Sequence, residues 1–162
     1  MISDNPSSLA IAALLRKERD LLDRGDLDAW RQLFTTDGVY WMPSDPAHEK
    51  PLEAISLMLE GQELMEIRAR NFGHAMSPSM AHPLRSCRLM EIRSILPSKG
   101  GDGEWQAIAS FHAVISYRQE QQLFAGSYTY LVAATGTGFL IRQKRVDILN
   151  VDQPIKSVLI YI

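Results

Sequence analysis

Four histidines, a single cysteine and an early aspartate and tyrosine are the side chains best suited to chemistry in this 162-residue chain. An imidazole can act as a general base near neutral pH, with an aspartate to orient it or a tyrosine to polarise a carbonyl. Asp37 and Tyr40 stand close together in a β-prone run. His74 and His82 bracket an irregular stretch, His112 lies within an alternating segment, and His48 falls in a proline-punctuated loop. No pair of histidines has the i, i+4 spacing of a helical metal site, and no H-E-x-x-H occurs. A lone histidine on a strand is more often a satisfied structural or interface residue than a base. Cys87 has no partner for an internal disulfide. The same count excludes an all-cysteine iron–sulfur cluster, a Rieske cluster (two Cys and two His) and a zinc site with two or more cysteines. Glycine-rich phosphate loops and the G-x-S-x-G nucleophile turn are missing, and Gly136-Thr137-Gly138 reads as a hairpin turn.

The elements that must position these groups follow from periodicity. Residues 5–24 predict an amphipathic helix, with Asn5 as N-cap, Pro6 in the first turn and Gly25 as the stop. Leu14, Leu15, Glu18, Leu21 and Leu22 line one face. Asp26 caps a short second helix in which Leu27, Trp30, Leu33 and Phe34 recur at helical spacing, with Trp30 a core residue. A short strand spans 39–42. Residues 54–60 fit a strand or a helix equally. A helix follows over 62–71, then an irregular segment to Pro83. Four strands are predicted at 84–95, 104–117, 123–134 and 139–149. In 104–117 the residues Trp105, Ala107, Ala109, Phe111, Ala113, Ile115 and Tyr117 share a face, and Ser110, His112 and Ser116 lie on the mixed opposite one. Helices first and a long antiparallel meander after make an α+β fold, with helices packed on one side of a bent sheet. With no linker or repeat, residues 1–162 read as one domain.

Composition limits the function classes. Apolar residues make up 46% and charged residues 22%, enough for one core and too apolar for a mainly disordered chain. Seventeen basic against 19 acidic residues give a net charge of −2, without the basic stripe of a nucleic-acid binder. No apolar run is long enough to span a membrane, and the first residues lack the charge order of a secretory signal. A cytoplasmic location is therefore expected.

This order of elements resembles the cone-shaped α+β fold (a cystatin-like roll) of nuclear-transport-factor-like and SnoaL-like proteins. Several phrases resemble the β (small) subunit of Rieske non-haem iron ring-hydroxylating dioxygenases. They are Leu22-Asp23 through Trp30 with Leu33-Phe34, Asp37 and Tyr40-Trp41-Met42-Pro43; residues 55–70; Ser77-Pro78 with Arg85 and Arg88; residues 111–124; and residues 140–153, LIRQKRVDILNVDQ. The chain departs from the family's usual pattern at 127–131 (SYTYL) and at Phe139, where a tryptophan is common.

The resemblance implies a division of labour. The Rieske cluster and a mononuclear iron on two histidines and a carboxylate belong to a partner α subunit. The β subunit is mostly structural, in a homotrimer or a hexamer of three α and three β subunits. The residues of interest are then interface residues. Arg68, Arg70, Arg85, Arg88 and Arg118 would pair with acidic groups on neighbours. Trp41, Tyr128 and Tyr130 would be aromatic anchors, since aromatics and arginine dominate interface hot spots; Trp41 fits the core equally well. The mixed strand face with His112 would be buried by assembly. The SnoaL-like likeness implies an alternative, a cofactor-free dehydratase or isomerase using Asp37, Tyr40, His112 and His74 or His82 in the cone. Neither reading places a metal on this chain.

Overall fold

The computed structural model describes residues 5–72, 83–100, 103–155, 158 and 160–162. Asn5 starts the first helix, α1 (Pro6–Arg24), by accepting the Ser8 backbone N–H on its side-chain oxygen at 2.7 Å. Ile11, Ala12, Leu15, Glu18, Leu21 and Leu22 form its buried face. Each fully buried leucine or isoleucine there stabilises the fold by roughly 1.5–3 kcal/mol. The helix ends at Gly25, whose φ of 71° lies in the left-handed region that a side chain would strain. Asp26 then caps α2 (Leu27–Arg31), accepting from the Ala29 N–H at 3.1 Å.

The helical spacing around Trp30 does not extend to Phe34. That residue opens β1 (Phe34–Pro43), which begins five residues before the strand expected from β-propensity. A backbone bond from the Ile141 N–H to the Leu33 carbonyl, 2.8 Å, pulls the chain into the sheet there, so tertiary pairing overrides local preference. The ambiguous 54–60 segment resolves as β2 (Ser56–Gly61), because it pairs antiparallel with β1 in the register Trp41↔Leu59. α3 (Gln62–Phe72), β3 (Arg85–Pro97), β4 (Glu104–Tyr117), β5 (Glu120–Thr135) and β6 (Gly138–Ile148) follow close to their expected bounds.

The strands form one sheet in the order β2-β1-β6-β5-β4-β3. β3 to β6 are the antiparallel meander. β1 is antiparallel to β2 but parallel to β6, which makes the sheet mainly antiparallel. The sheet is strongly curved: Glu60 on one edge strand and Arg88 on the other both bond to Tyr161. α1 closes the concave side over β3 and β6. Alternation along β4 turns Ala107, Ala109, Phe111, Ala113 and Ile115 inward, and the three alanines leave room for bulky neighbours. One of these is Tyr128, stacked on Phe111 at 4.0 Å. Gly126 permits the tightest curvature, since a Cβ there would lie 1.9 Å from the Asp147 carbonyl oxygen of β6.

Candidate functional site

In this fold the concave interior is where a pocket would form, and here polar side chains are buried among aromatics. Glu18 sits on the apolar face of α1 and Lys144 at an inward position of β6, both essentially without solvent contact. Glu18 Oε1 accepts from Trp30 Nε1 at 2.7 Å and from Lys144 Nζ at 2.9 Å, while Oε2 accepts from the Tyr130 hydroxyl at 3.2 Å. The ammonium also lies 4.1 Å from the Tyr128 ring centroid, within cation–π range. Burial pulls the Lys144 ammonium down to about 8, against the opposing attraction of Glu18. Burial raises the hydroxyls of Tyr128 and Tyr130, and the Glu18 charge adds to the effect.

A second group of residues joins the two edge strands, β2 and β3, across the interior. The Arg88 backbone N–H donates to Asp23 Oδ2 at 3.0 Å, and its guanidinium binds Asp23 Oδ1, Ser86 Oγ and the Tyr161 carbonyl. The Tyr161 ring stacks on Trp30 (4.3 Å, 25°) and meets Tyr40 edge-on at 4.8 Å. Its hydroxyl donates to Glu60, which is also bound by Arg68, with Nε at 3.0 and 3.1 Å from the two carboxylate oxygens. The Tyr40 hydroxyl donates to the Ile162 main-chain oxygen at 3.1 Å and accepts from the Ile162 N–H at 3.0 Å. Burial raises the Tyr40 and Tyr161 hydroxyls well above the usual range. The interior is thus filled by Trp30, Tyr40, Tyr128, Tyr130 and the 160–162 segment. A general base must lie within about 3 Å of the proton it removes, and here the buried acids and cations hold one another.

Of the residues of the alternative, catalytic reading, Asp37, Tyr40 and His112 do not meet. Asp37 lies on the exposed turn-like start of β1; a hydrogen bond from Thr35 holds its carboxyl below the usual range, and its nearest cation is Arg142 at 3.8 Å. Tyr40 points into the cone. His112 is exposed on the convex face of β4, the face opposite to the one from which Tyr40 points inward. Strand alternation puts Phe111 and Ala113 inward and so forces His112 outward. His74 and His82 lie outside the described residues.

Several interface expectations need correction as well. Arg88, Tyr128 and Tyr130 are interior residues, because β3 and β5 alternate them onto the concave face. Trp41 is also covered. It sits on the convex side beneath the Arg145 guanidinium, 4.6 Å from its ring, and donates its indole N–H to Ser56 Oγ at 2.9 Å. Arg68 is half-buried against Glu60. Arg70, Arg85 and Arg118 are exposed, Arg70 in an ion pair with Glu66 and Arg118 with its guanidinium 5.1 Å from the Tyr117 ring. Around them the convex face presents Leu89 (71% exposed), His112 and Leu123 (66% exposed), on neighbouring strands β3, β4 and β5.

Glu18, Glu60, Lys144 and Tyr161 are the site residues that sequence reasoning missed as a group. Glu18 was legible as an acid set among leucines on α1. Lys144 was legible as a charge sharing the inward parity of Val146 and Ile148. Nothing local ties Glu60 to Tyr161, 101 positions apart. Among the described residues no three His, Cys, Asp or Glu side chains converge where a metal could sit, and Cys87 is exposed and far from forming a cluster set.

A family model described as ring hydroxylating β subunit matches residues 17–152. Comparison with curated protein sequences gives no match. The β subunit of benzoate 1,2-dioxygenase from Burkholderia mallei superposes with a TM-score of 0.72 at 20% identity, covering 99% of this chain and 100% of that one. A naphthalene 1,2-dioxygenase structure with indole bound superposes with a TM-score of 0.77 at 14% identity, over 93% of this chain and 83% of that one. A ketosteroid isomerase-like protein from Erwinia carotovora atroseptica gives 0.63 at 14% identity, over 90% and 98%. At these identities the superpositions establish a shared cone fold.

Proposed function

The chain belongs to the ring-hydroxylating β-subunit family, and from that premise we propose that it is the non-catalytic scaffold of an aromatic-ring-hydroxylating dioxygenase. Its partner is an α subunit that carries a Rieske cluster and a mononuclear iron and adds both atoms of O₂ to an aromatic ring. This chain's own residues do not fit the cluster, which needs two cysteines where the sequence has one; among the described residues no three His, Cys, Asp or Glu side chains converge to hold the mononuclear iron. The assembly is a hexamer of three α and three β subunits in the cytoplasm, and among the described residues no helix is long and apolar enough to cross a membrane. The observation that carries the scaffold reading is the filled cone. Where an isomerase would keep a pocket, this chain places Trp30, Tyr40, Tyr161 and a self-satisfied Glu18–Lys144 pair.

The convex face is the proposed contact surface. Leu89, His112 and Leu123 form an apolar centre, and Arg85 and Arg118 lie at the same end of the sheet to pair with acids on a neighbour. Exposed apolar side chains grouped on one face of a folded chain commonly mark an interaction site. Tagged chain drawn from its native host should bring down a brown, iron-containing partner in near-equal amount. Leu123→Asp should abolish that association while leaving the melting of the isolated chain within about 0.5 kcal/mol, as expected for an exposed site. A colourless, partnerless eluate with the native chain would overturn the reading.

A further inference from the structure

We infer that the space between the edge strands β2 and β3 is a binding site for a neutral para-substituted phenol, occupied in this chain by its own Tyr161. Every surface of the Tyr161 side chain is recognised. Trp30 stacks on one face at 4.3 Å, Tyr40 packs edge-on at 4.8 Å, and the Arg68 guanidinium stands 5.4 Å from the ring centroid. The hydroxyl gives its proton to Glu60, and the main chain is fixed separately, through the Tyr161 carbonyl to Arg88 and through Ile162 to Tyr40. Ring recognition and backbone anchoring thus use different groups. Removing the side chain leaves a slot with its donors and acceptors in place.

A cavity reaches the two residues that hold the Tyr161 hydroxyl. It measures about 720 Å³ and opens between β2 and α3, with walls that include Leu57, Leu59, Leu64 and Ile155. Glu60 and Arg68, the pair that holds the Tyr161 hydroxyl, line this cavity as well. A small aromatic molecule entering between the leucines would reach the hydroxyl end of the slot.

The chemistry of Glu60 sets the ligand class. Its carboxylate is already charge-paired with Arg68 and needs one more donor, which a neutral phenol supplies. Toluene has the ring without the donor and leaves the carboxylate short of a bond. An aromatic carboxylate brings a second negative charge and no donor. Attachment of the tyrosine main chain opposite the hydroxyl specifies a para substituent, so 4-methylphenol is the fragment that reproduces Tyr161.

The test uses the full chain carrying Tyr161→Gly, titrated with 4-methylphenol, toluene and 4-methylbenzoate by calorimetry and by thermal melting. The expected result is binding of 4-methylphenol at least tenfold tighter than either other compound, with a matching rise in melting temperature. The native chain and Tyr161→Phe, whose slot is full, should respond to none of the three. Adding Glu60→Leu, which removes the acceptor, to Tyr161→Gly should remove the preference for the phenol over toluene. If Tyr161→Gly does not fold unaided, refolding from urea in the presence of each compound reads the same preference: recovery with 4-methylphenol alone supports the site. Equal effects of phenol and toluene, or no effect of any compound on binding or refolding, would overturn it.

Discussion

Replacing Lys144 with methionine tests whether the buried ion pair is a matched set or a passive feature of the core. Methionine keeps most of the side-chain length and removes the charge. Glu18 then remains 1% exposed, with only the Trp30 and Tyr130 donors to satisfy a full negative charge. Stranding one member of a buried pair costs about 3–5 kcal/mol, whereas removing both is close to neutral when the remaining polar groups keep partners. The companion variant is therefore Glu18→Gln in the Lys144→Met background. A glutamine can accept the Trp30 N–H with its amide oxygen and donate its amide N–H to the Tyr130 hydroxyl oxygen, so no polar group is orphaned. Urea denaturation followed by circular dichroism reads the cycle. With an m-value of roughly 2 kcal/mol per molar, Lys144→Met should lower the midpoint by about 2 M. The double variant should recover at least about 2 kcal/mol of that loss, a coupling at the upper end of those seen for contacting residues. A Lys144→Met loss under about 1 kcal/mol, or losses of the two single variants that simply add, would refute the view that desolvation of Glu18 governs the core.

The same lysine makes a pH prediction. Its pKa falls from an unfolded value near 10.5 to about 8 in the fold, so between those limits the unfolded chain holds more protons, and the native protein should gain stability relative to Lys144→Met as pH rises from 8. The full span corresponds to about 3 kcal/mol. Above pH 10 the raised hydroxyls of Tyr40, Tyr128, Tyr130 and Tyr161 act oppositely in both proteins, so the comparison is read by urea midpoints at pH 7.5 and 9.5; parallel changes in the two proteins would count against it. Gly126→Ala should cost more than about 3 kcal/mol in the same assay, because its Cβ would lie 1.9 Å from the Asp147 carbonyl oxygen and both atoms belong to paired strands. His112→Ala should leave the isolated chain's midpoint unchanged and weaken recovery of the α partner in a pull-down. An unfolded His112→Ala chain, or undiminished recovery, would remove His112 from the contact surface.

Legibility from sequence followed the range of the interactions involved. Alternation over 104–117 placed every inward residue of β4 correctly, since a strand with one apolar face has a single workable register. α1 was equally plain, because its N-cap, leucine stripe and C-terminal glycine are all local signals. The 54–60 segment was undecidable locally: Ile55, Leu57 and Leu59 alternate while Ile55, Met58 and Leu59 fit a helix, and only pairing with β1 chose the strand. Arg88, Tyr128 and Tyr130, expected at an interface, lie inside the chain for a related reason. Arginine and tyrosine are common at interfaces, but a curved sheet with a filled cone also needs large polar side chains inside. Arg88 and Tyr130 are buried because Asp23 and Glu18 accept their protons, 65 and 112 positions away.

That filling bears on how one fold serves both enzymes and scaffolds. An isomerase-like cone needs a base facing an open cavity, and an unpaired ionisable group there is expensive to keep buried. In this chain the interior acid is neutralised by Lys144, and the second acid, Glu60, by Arg68 and Tyr161. The arrangement leaves no buried base free of a partner among the described residues of the cone. The convex side also exposes Leu89 and Leu123, where a neighbouring subunit could cover them. A reversal of the inside pattern alone, for example Tyr161→Gly with Lys144→Met, would open space and unpair Glu18 without giving a catalyst, since His112 would still face the opposite side of the sheet. Bringing the His112 imidazole into the cone would require moving it across β4, a change of strand parity that no single substitution at His112 can make.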